Sequence, residues 1–262
     1  MLMYTAVVIA SLTVAALTLF SGFGIGTLLM PVFAIFFPVE AAIAMTAVVH
    51  LSNNIFKLFL VGRHADLKIA LKFIIPGLIT SALGAYLLTQ MADTAPLFTY
   101  EMNGRREVTL MKLVISVLIL FFSFLELVPR FRDISFRERY IPLGGALSGF
   151  FGGLSGHQGA LRSAFLLRSL DDKTKFIGTG VVCAVVVDIS RLIVYGALFF
   201  GEAVDTIVDS GGLNLMGAAV ITAFLGSFLG SRLMKKVKMH HVRNLVGVML
   251  LVLALLLGSG II

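Results

Sequence analysis

The stretch Ser148-Gly149-Phe150-Phe151-Gly152-Gly153-Leu154-Ser155-Gly156-His157-Gln158-Gly159 interrupts an apolar run in the second half of the chain. Its opening triplet repeats Ser21-Gly22-Phe23, which starts the glycine-rich run Ser21–Gly26 in the first half. Three further landmarks follow in the same order. Asn54-Ile55-Phe56-Lys57-Leu58, closed by Gly62, is echoed by Asp188-Ile189-Ser190-Arg191-Leu192, closed by Gly196. Ile79-Thr80 with Leu83-Gly84 returns as Ile221-Thr222 with Leu225-Gly226, and Leu113-Val114 with Leu118 as Leu245-Val246 with Leu250. The chain therefore reads as one unit written twice, 1–130 and 131–262. A repeat of this kind in an apolar chain points to secondary-transporter architecture, with the site where the halves meet.

Composition sets the solvent. Of 262 residues, 58% are hydrophobic and only 13% charged, about half the charge of a soluble domain. Mean hydropathy is +1.01. Apolar stretches recur along the whole length, which predicts an all-α polytopic membrane protein and excludes disorder. The net charge of +7 comes from short loops between apolar segments, so it implies no nucleic-acid partner. Cys183, the one cysteine, reads as a small buried hydrophobe rather than a functional thiol. The N-terminus lacks the basic start of a leader peptide, and no cleaved signal is expected.

Expected spans are Ala41–Val61, Ile69–Gln90, Leu110–Val128, Phe176–Phe200, Leu213–Leu233 and Leu245–Ile262, with broken stretches at Tyr4–Phe37 and Ile141–Leu170. The loops Gly62–Lys72, Arg130–Arg139 and Arg232–Arg243 are basic, whereas Gly201–Gly212 carries Glu202, Asp205 and Asp209 and no Lys or Arg. Placing the basic loops in the cytoplasm makes corresponding spans of the two halves run in opposite directions. The repeats are then inverted, and both termini lie outside the cytoplasm. Each broken stretch must return to the side it entered. Ile141–Leu170 is too short for two crossings of about 20 residues each. It predicts a re-entrant or half-depth helical hairpin, broken over Gly152–Gly159. Each repeat is thus one glycine-broken hairpin plus three transmembrane helices.

Two such tips, entering from opposite faces, should meet near the midplane. The glycines Gly22, Gly24, Gly26, Gly149, Gly152, Gly153, Gly156 and Gly159 serve either close helix packing or turns with positive φ. Helices starting after Gly26 and Gly159 would aim free N–H groups at the centre, the makings of an anion site. Ser21, Ser155, His157 and Gln158 add side-chain donors. Arg162, in the first turn after the second tip, lies roughly 13 Å deep by helical rise. A charge at that depth is a functional candidate, the alternative being that it snorkels or binds loop carbonyls. His50, Asn53, Asn54 and Lys57 share one helical face, and Asp188, Arg191 and Tyr195 another. Asp188 and Arg191 either form a structural pair or line the path. Glu40 and Glu126 lie near span ends and read as interfacial. No metal-ligand spacing, nucleotide loop or catalytic triad is present, so neither cofactor nor catalysis is expected.

The paired segments Ser21-Gly22-Phe23-Gly24-Ile25-Gly26, with Pro31 following, and Ser148-Gly149-Phe150-Phe151-Gly152-Gly153-Leu154-Ser155-Gly156 resemble the sulfite exporter TauE/SafE family. The resemblance covers nearly the whole chain. It implies a multi-pass transporter of the cell inner membrane that exports sulfite, sulfoacetate or a related organosulfonate. The second repeat departs from the pattern, with Ala164 in place of a proline and His157-Gln158 in a run that is usually richer in glycine. Partners expected on this reading are a small anion, the bilayer, H⁺ or Na⁺ as coupling ion, and a second copy in a homodimer. A passive anion channel and an intramembrane enzyme using His157 and Ser155 are the competing readings.

Overall fold

The computed structural model describes residues 2–18, 25–92, 94–102, 104–132, 134–170, 172–198, 207–233 and 239–262. Helices dominate: α1 (Leu2–Thr18), α2 (Ile25–Ala34), α3 (Val39–Val61), α4 (Leu67–Ala92), α5 (Leu110–Leu127) and a single turn α6 (Pro129–Arg132). Then come α7 (Ile141–Ser155), α8 (Gly159–Leu166), α9 (Lys173–Leu198), α10 (Gly212–Leu233) and α11 (Met239–Gly258). Helix starts are fixed by local chemistry. The Asp66 and Asp172 carboxylates accept the backbone N–H groups of Ile69 and Lys175 at 3.0 and 2.8 Å, capping α4 and α9. Those hydrogen bonds hold Asp172, in its exposed loop, below the usual carboxylate pKa.

Among the described residues, α3, α4, α5, α9 and the main part of α10 are long and apolar enough to cross a bilayer. α11 has 20 residues, of which Asn244–Gly258 is the apolar part. The outer faces are apolar: Leu71, Ile75, Ile79 and Leu83 of α4, and Ile221 and Leu225 of α10, are exposed, while Asp188, Arg191 and Asn53 have no exposed surface. That distribution is inside-out for water and right for lipid. At ten and eight residues, α2 and α8 reach only about 15 and 12 Å, roughly half the hydrocarbon thickness.

Packing is reciprocal between the halves. α7 lies on α4 and α1 on α10, while α3 meets α9 and α5 meets α11. The repeat landmarks do the same work on each side. Thr80 of α4 donates to Ala146 O of α7 at 2.7 Å, and its counterpart Thr222 of α10 bonds Ser11 of α1. Gly84 lies against Phe150 O of α7, and Gly226 against Leu12 O of α1. With no hydrophobic drive between helices in lipid, such close backbone approach holds the bundle.

The sequence expectation that the second break spans Gly152–Gly159 is corrected here. α7 continues through Gly149, Gly152 and Gly153 to Ser155, and only 156–158 is non-helical. A Cβ at Gly145 or Gly153 would stand 2.0 Å from Phe73 O or Ser81 O of α4, so these glycines serve packing. Gly153→Ala should therefore cost about 1–3 kcal/mol through overpacking, seen as a lower midpoint in thermal unfolding. Gly217→Ala, which meets nothing within 4 Å, should be neutral or slightly stabilising. Equal midpoints would contradict the packing assignment. The mixed loop between α4 and α5 holds a feature the sequence reading lacked: an antiparallel hairpin, β1 (Phe98–Glu101) with β2 (Arg105–Val108). Tyr100 and Arg106 tie it to Ser259 O and Ile261 O after α11.

Candidate functional site

The second tip is three residues long. Gly156 closes α7 with φ +80, a conformation that favours glycine. It also approaches the other hairpin: a Cβ at Gly26 would lie 3.1 Å from Gly156 O. The start of α2 and the second tip thus meet at Gly26 and Gly156. α2 begins at Ile25 and α8 at Gly159, so both helix starts face this junction. Ser21, Gly22 and Gly24 lie outside the described residues.

Asp188 of α9 is the hub beside the tip. Its Oδ2 accepts from Asn54 at 3.1 Å and lies 2.7 Å from His50 Nδ1. Its Oδ1 accepts from Gln158 Nε2 at 2.8 Å and Arg191 Nε at 3.1 Å, with Arg191 Nη2 also 2.9 Å away. One carboxylate thereby joins α3, the second tip and α9, and the structural pairing of Asp188 with Arg191 is realised. Arg191 also lies against the tip, its Nη1 3.0 Å from where a Cβ on Gly156 would be. Tyr195 donates to Gly153 O from the next turn.

Gln158 is the second junction. Its carbonyl accepts from Ser148 at 2.8 Å and its amide oxygen from Arg162 Nη1 at 3.0 Å. Arg162 is buried on α8 and faces α9, where Gly180 leaves room beside its Nε. It therefore does not snorkel. Lys57 of α3 is also buried. Asn53 holds that ammonium: the amide oxygen accepts from Lys57 Nζ at 3.1 Å, and the amide nitrogen donates to Ser227 at 2.7 Å. Within this cluster three basic side chains, Lys57, Arg162 and Arg191, lie with the Asp188 carboxylate among the described residues. Ser155 turns its hydroxyl back to Phe151 O at 3.0 Å.

His157 faces away from the hub. Its Nδ1 is 2.9 Å from Ser155 O, and its ring stacks on Phe122 of α5 at 5.4 Å. It lines a cavity of about 10 Å³ with Thr27, Phe122, Glu126, Ala160 and Leu250. Glu126 is therefore not interfacial as expected: it is buried and faces the tips. The signal for it was in the sequence. Met111, Ile115, Ile119, Phe122 and Glu126 form one buried helical stripe. Among the described residues no group of three or more His, Cys, Asp or Glu is placed to hold a metal. Cys183 is a free, buried thiol.

This fold defines a multi-pass helical membrane protein built around a buried polar core where the short helices α2 and α8 begin. The chain matches the sulfite exporter TauE/SafE family over residues 7–257 and belongs to that family. It is accordingly a membrane transport protein. No curated protein and no solved structure matches it.

Proposed function

We propose that the protein carries a small sulfur-containing anion, such as sulfite, sulfoacetate or a related organosulfonate, out of the cell by alternating access of two inverted repeats. The observation that carries this reading is the cluster of buried basic side chains where α2 meets the second tip, Lys57, Arg162 and Arg191, beside Asp188. Burying charge is costly, and a bound anion at the cluster offsets part of that cost. Compact sulfur oxyanions accept hydrogen bonds on every face, which suits a planar guanidinium and helix N-termini. Arg162 and Lys57 are the expected anion contacts, with Gly26, Gly156, Gln158 and Gly159 shaping the seat. His50, Asn54, Asp188 and Arg191 brace it from behind. An inside-negative membrane expels a monovalent anion with about 2.3 kcal/mol per 100 mV, which suits export across the inner membrane.

A thermal-shift screen of purified protein tests the ligand class. Sulfite, thiosulfate or sulfoacetate should raise the unfolding midpoint, since ligand at 100 times its Kd stabilises by about 2.7 kcal/mol. A shift with small carboxylates alone would contradict the reading. Orientation has its own test. In a Cys183→Ala background, single cysteines between Glu202 and Asp209 should label from outside, and those between Lys235 and Lys238 only from the cytoplasm. Labelling of both from one side would remove the inverted arrangement.

A further inference from the structure

We propose that the open pocket beneath the β1–β2 hairpin is a second anion site, an outer vestibule that takes a small sulfonate once it has left the junction of α2 with the second tip. Its role as a vestibule rests on the anion-export reading. That it binds anions stands on the pocket alone.

The pocket lies at the far end of the helices that enclose the tip cavity. Thr27 of α2, Phe122 of α5 and Leu250 of α11 line that cavity, whereas Ala34 of α2, Lys112 of α5 and Gly260 after α11 line the pocket. α2, ten residues long, spans about 15 Å between the two. The stretch between is packed: Met30, Ile115, Ile119, Leu253 and Leu257 are buried in one core. In this conformation the way is shut, and the pocket is where an opening between these helices would lead. It holds about 430 Å³, within the range of small-molecule sites. That is room for a small anion with several of its waters, at about 30 Å³ for each water.

The polar walls are basic. Arg105 and Arg106 of β2 and Lys112 of α5 line the pocket, with Glu107 and the carboxylate of Ile262 as the opposing charges. Backbone carbonyls hold two of these cations without neutralising them. Arg106 Nη1 donates to Ile261 O at 2.7 Å, and Lys112 Nζ to Glu107 O at 3.2 Å. Of the three, only Arg105 is paired with a carboxylate, its Nε 3.2 Å from Glu107 Oε1, and its side chain stays 67% exposed. Gly260, with φ +74, seats the segment after α11 on β2: a Cβ there would stand 2.8 Å from Glu107 O. Guanidinium and ammonium donors suit the acceptor-only oxygens of a sulfonate. On the proposed orientation this face is outside, where loops are usually poor in Lys and Arg. Three basic side chains gathered there run against that bias, and an anionic ligand accounts for them.

Charge-selective labelling of the purified full-length protein tests this in a Cys183→Ala, Ile35→Cys background, since Ile35 lines the pocket and is exposed. Rates with an anionic sulfonatoethyl methanethiosulfonate and its cationic trimethylammonioethyl analogue are each divided by the rate with a small free thiol. The anionic reagent should be favoured about tenfold at low salt, because a cationic cleft concentrates counter-ions, and high salt should shrink the preference. Arg105→Gln combined with Lys112→Gln should remove most of it. Sulfoacetate should slow labelling at matched ionic strength, in Arg162→Ala as in the parent. Equal normalised rates for the two reagents overturn the proposal, and so does labelling that sulfoacetate leaves unchanged. Protection that vanishes in Arg162→Ala places the anion at the junction and removes the second site. Protection by anionic phospholipid alone, whose headgroup offers the same oxyanion chemistry, makes the pocket a lipid seat and overturns the proposal too. Should labelling and protection behave as expected while sulfoacetate shows no counterflow, the anion site stands and the export reading falls.

Discussion

Replacing Arg162 by alanine should weaken sulfoacetate binding by roughly 30- to 150-fold. The magnitude follows from a charged hydrogen bond of about 2–3 kcal/mol to the bound anion. Arg162 is buried in the first turn of α8, and Gln158 aims it from the tip. Arg162→Lys keeps the charge but loses the planar fork, so it should recover only part of the affinity. Arg168, exposed at the end of the second hairpin, should tolerate alanine with little change. Calorimetric titration of variants that elute as the parent does from size exclusion makes the comparison. Equal affinities for the parent and Arg162→Ala would move the anion site elsewhere.

The largest effect on stability should come from Asp188→Ala, about 3–5 kcal/mol, the usual cost of removing one partner of a buried ion pair. The loss is large because Asp188 satisfies His50, Asn54, Gln158 and Arg191 at once. Chemical unfolding in mild detergent measures it. The exposed pair Lys72–Glu138, 2.7 Å apart, makes the control, since pairs in solvent contribute little. The hydrogen bond from Lys72 holds the Glu138 carboxyl below its ordinary pKa. Whatever that pair adds is therefore present at neutral pH and fades as acid protonates the carboxylate. If Asp188→Ala unfolds no more easily than Glu138→Ala, Asp188 does not knit the centre.

The spans were legible because each apolar run ends in charge or glycine. The expected Ala41–Val61 and Leu110–Val128 correspond to α3, Val39–Val61, and α5, Leu110–Leu127. That Ile141–Leu170 breaks into helices too short to cross was legible from arithmetic, since thirty residues cannot cross twice: α7 has 15 residues and α8 eight. Glycine was harder, because one residue type serves both positive φ and close packing. Gly156 uses the first property, and Gly145, Gly149 and Gly153 the second. Local spacing showed that Asp188 and Arg191 share a face. It could not show that His50, 138 residues away, completes the group. Glu126 was misplaced because distance from a span end was weighed above its position on the buried stripe of α5. The β1–β2 hairpin was hidden in a loop of mixed charge, where four-residue strands leave no clear period.

Counterflow in proteoliposomes tests the central claim most directly. Vesicles loaded with unlabelled sulfoacetate or sulfite are diluted into trace labelled anion, and uptake is followed with and without the internal load. The account predicts saturable uptake, accelerated by the load and lost in Arg162→Ala. Uptake that does not saturate and passes as an electrical conductance would mean a passive channel, and no flux of any sulfur anion would contradict the account outright.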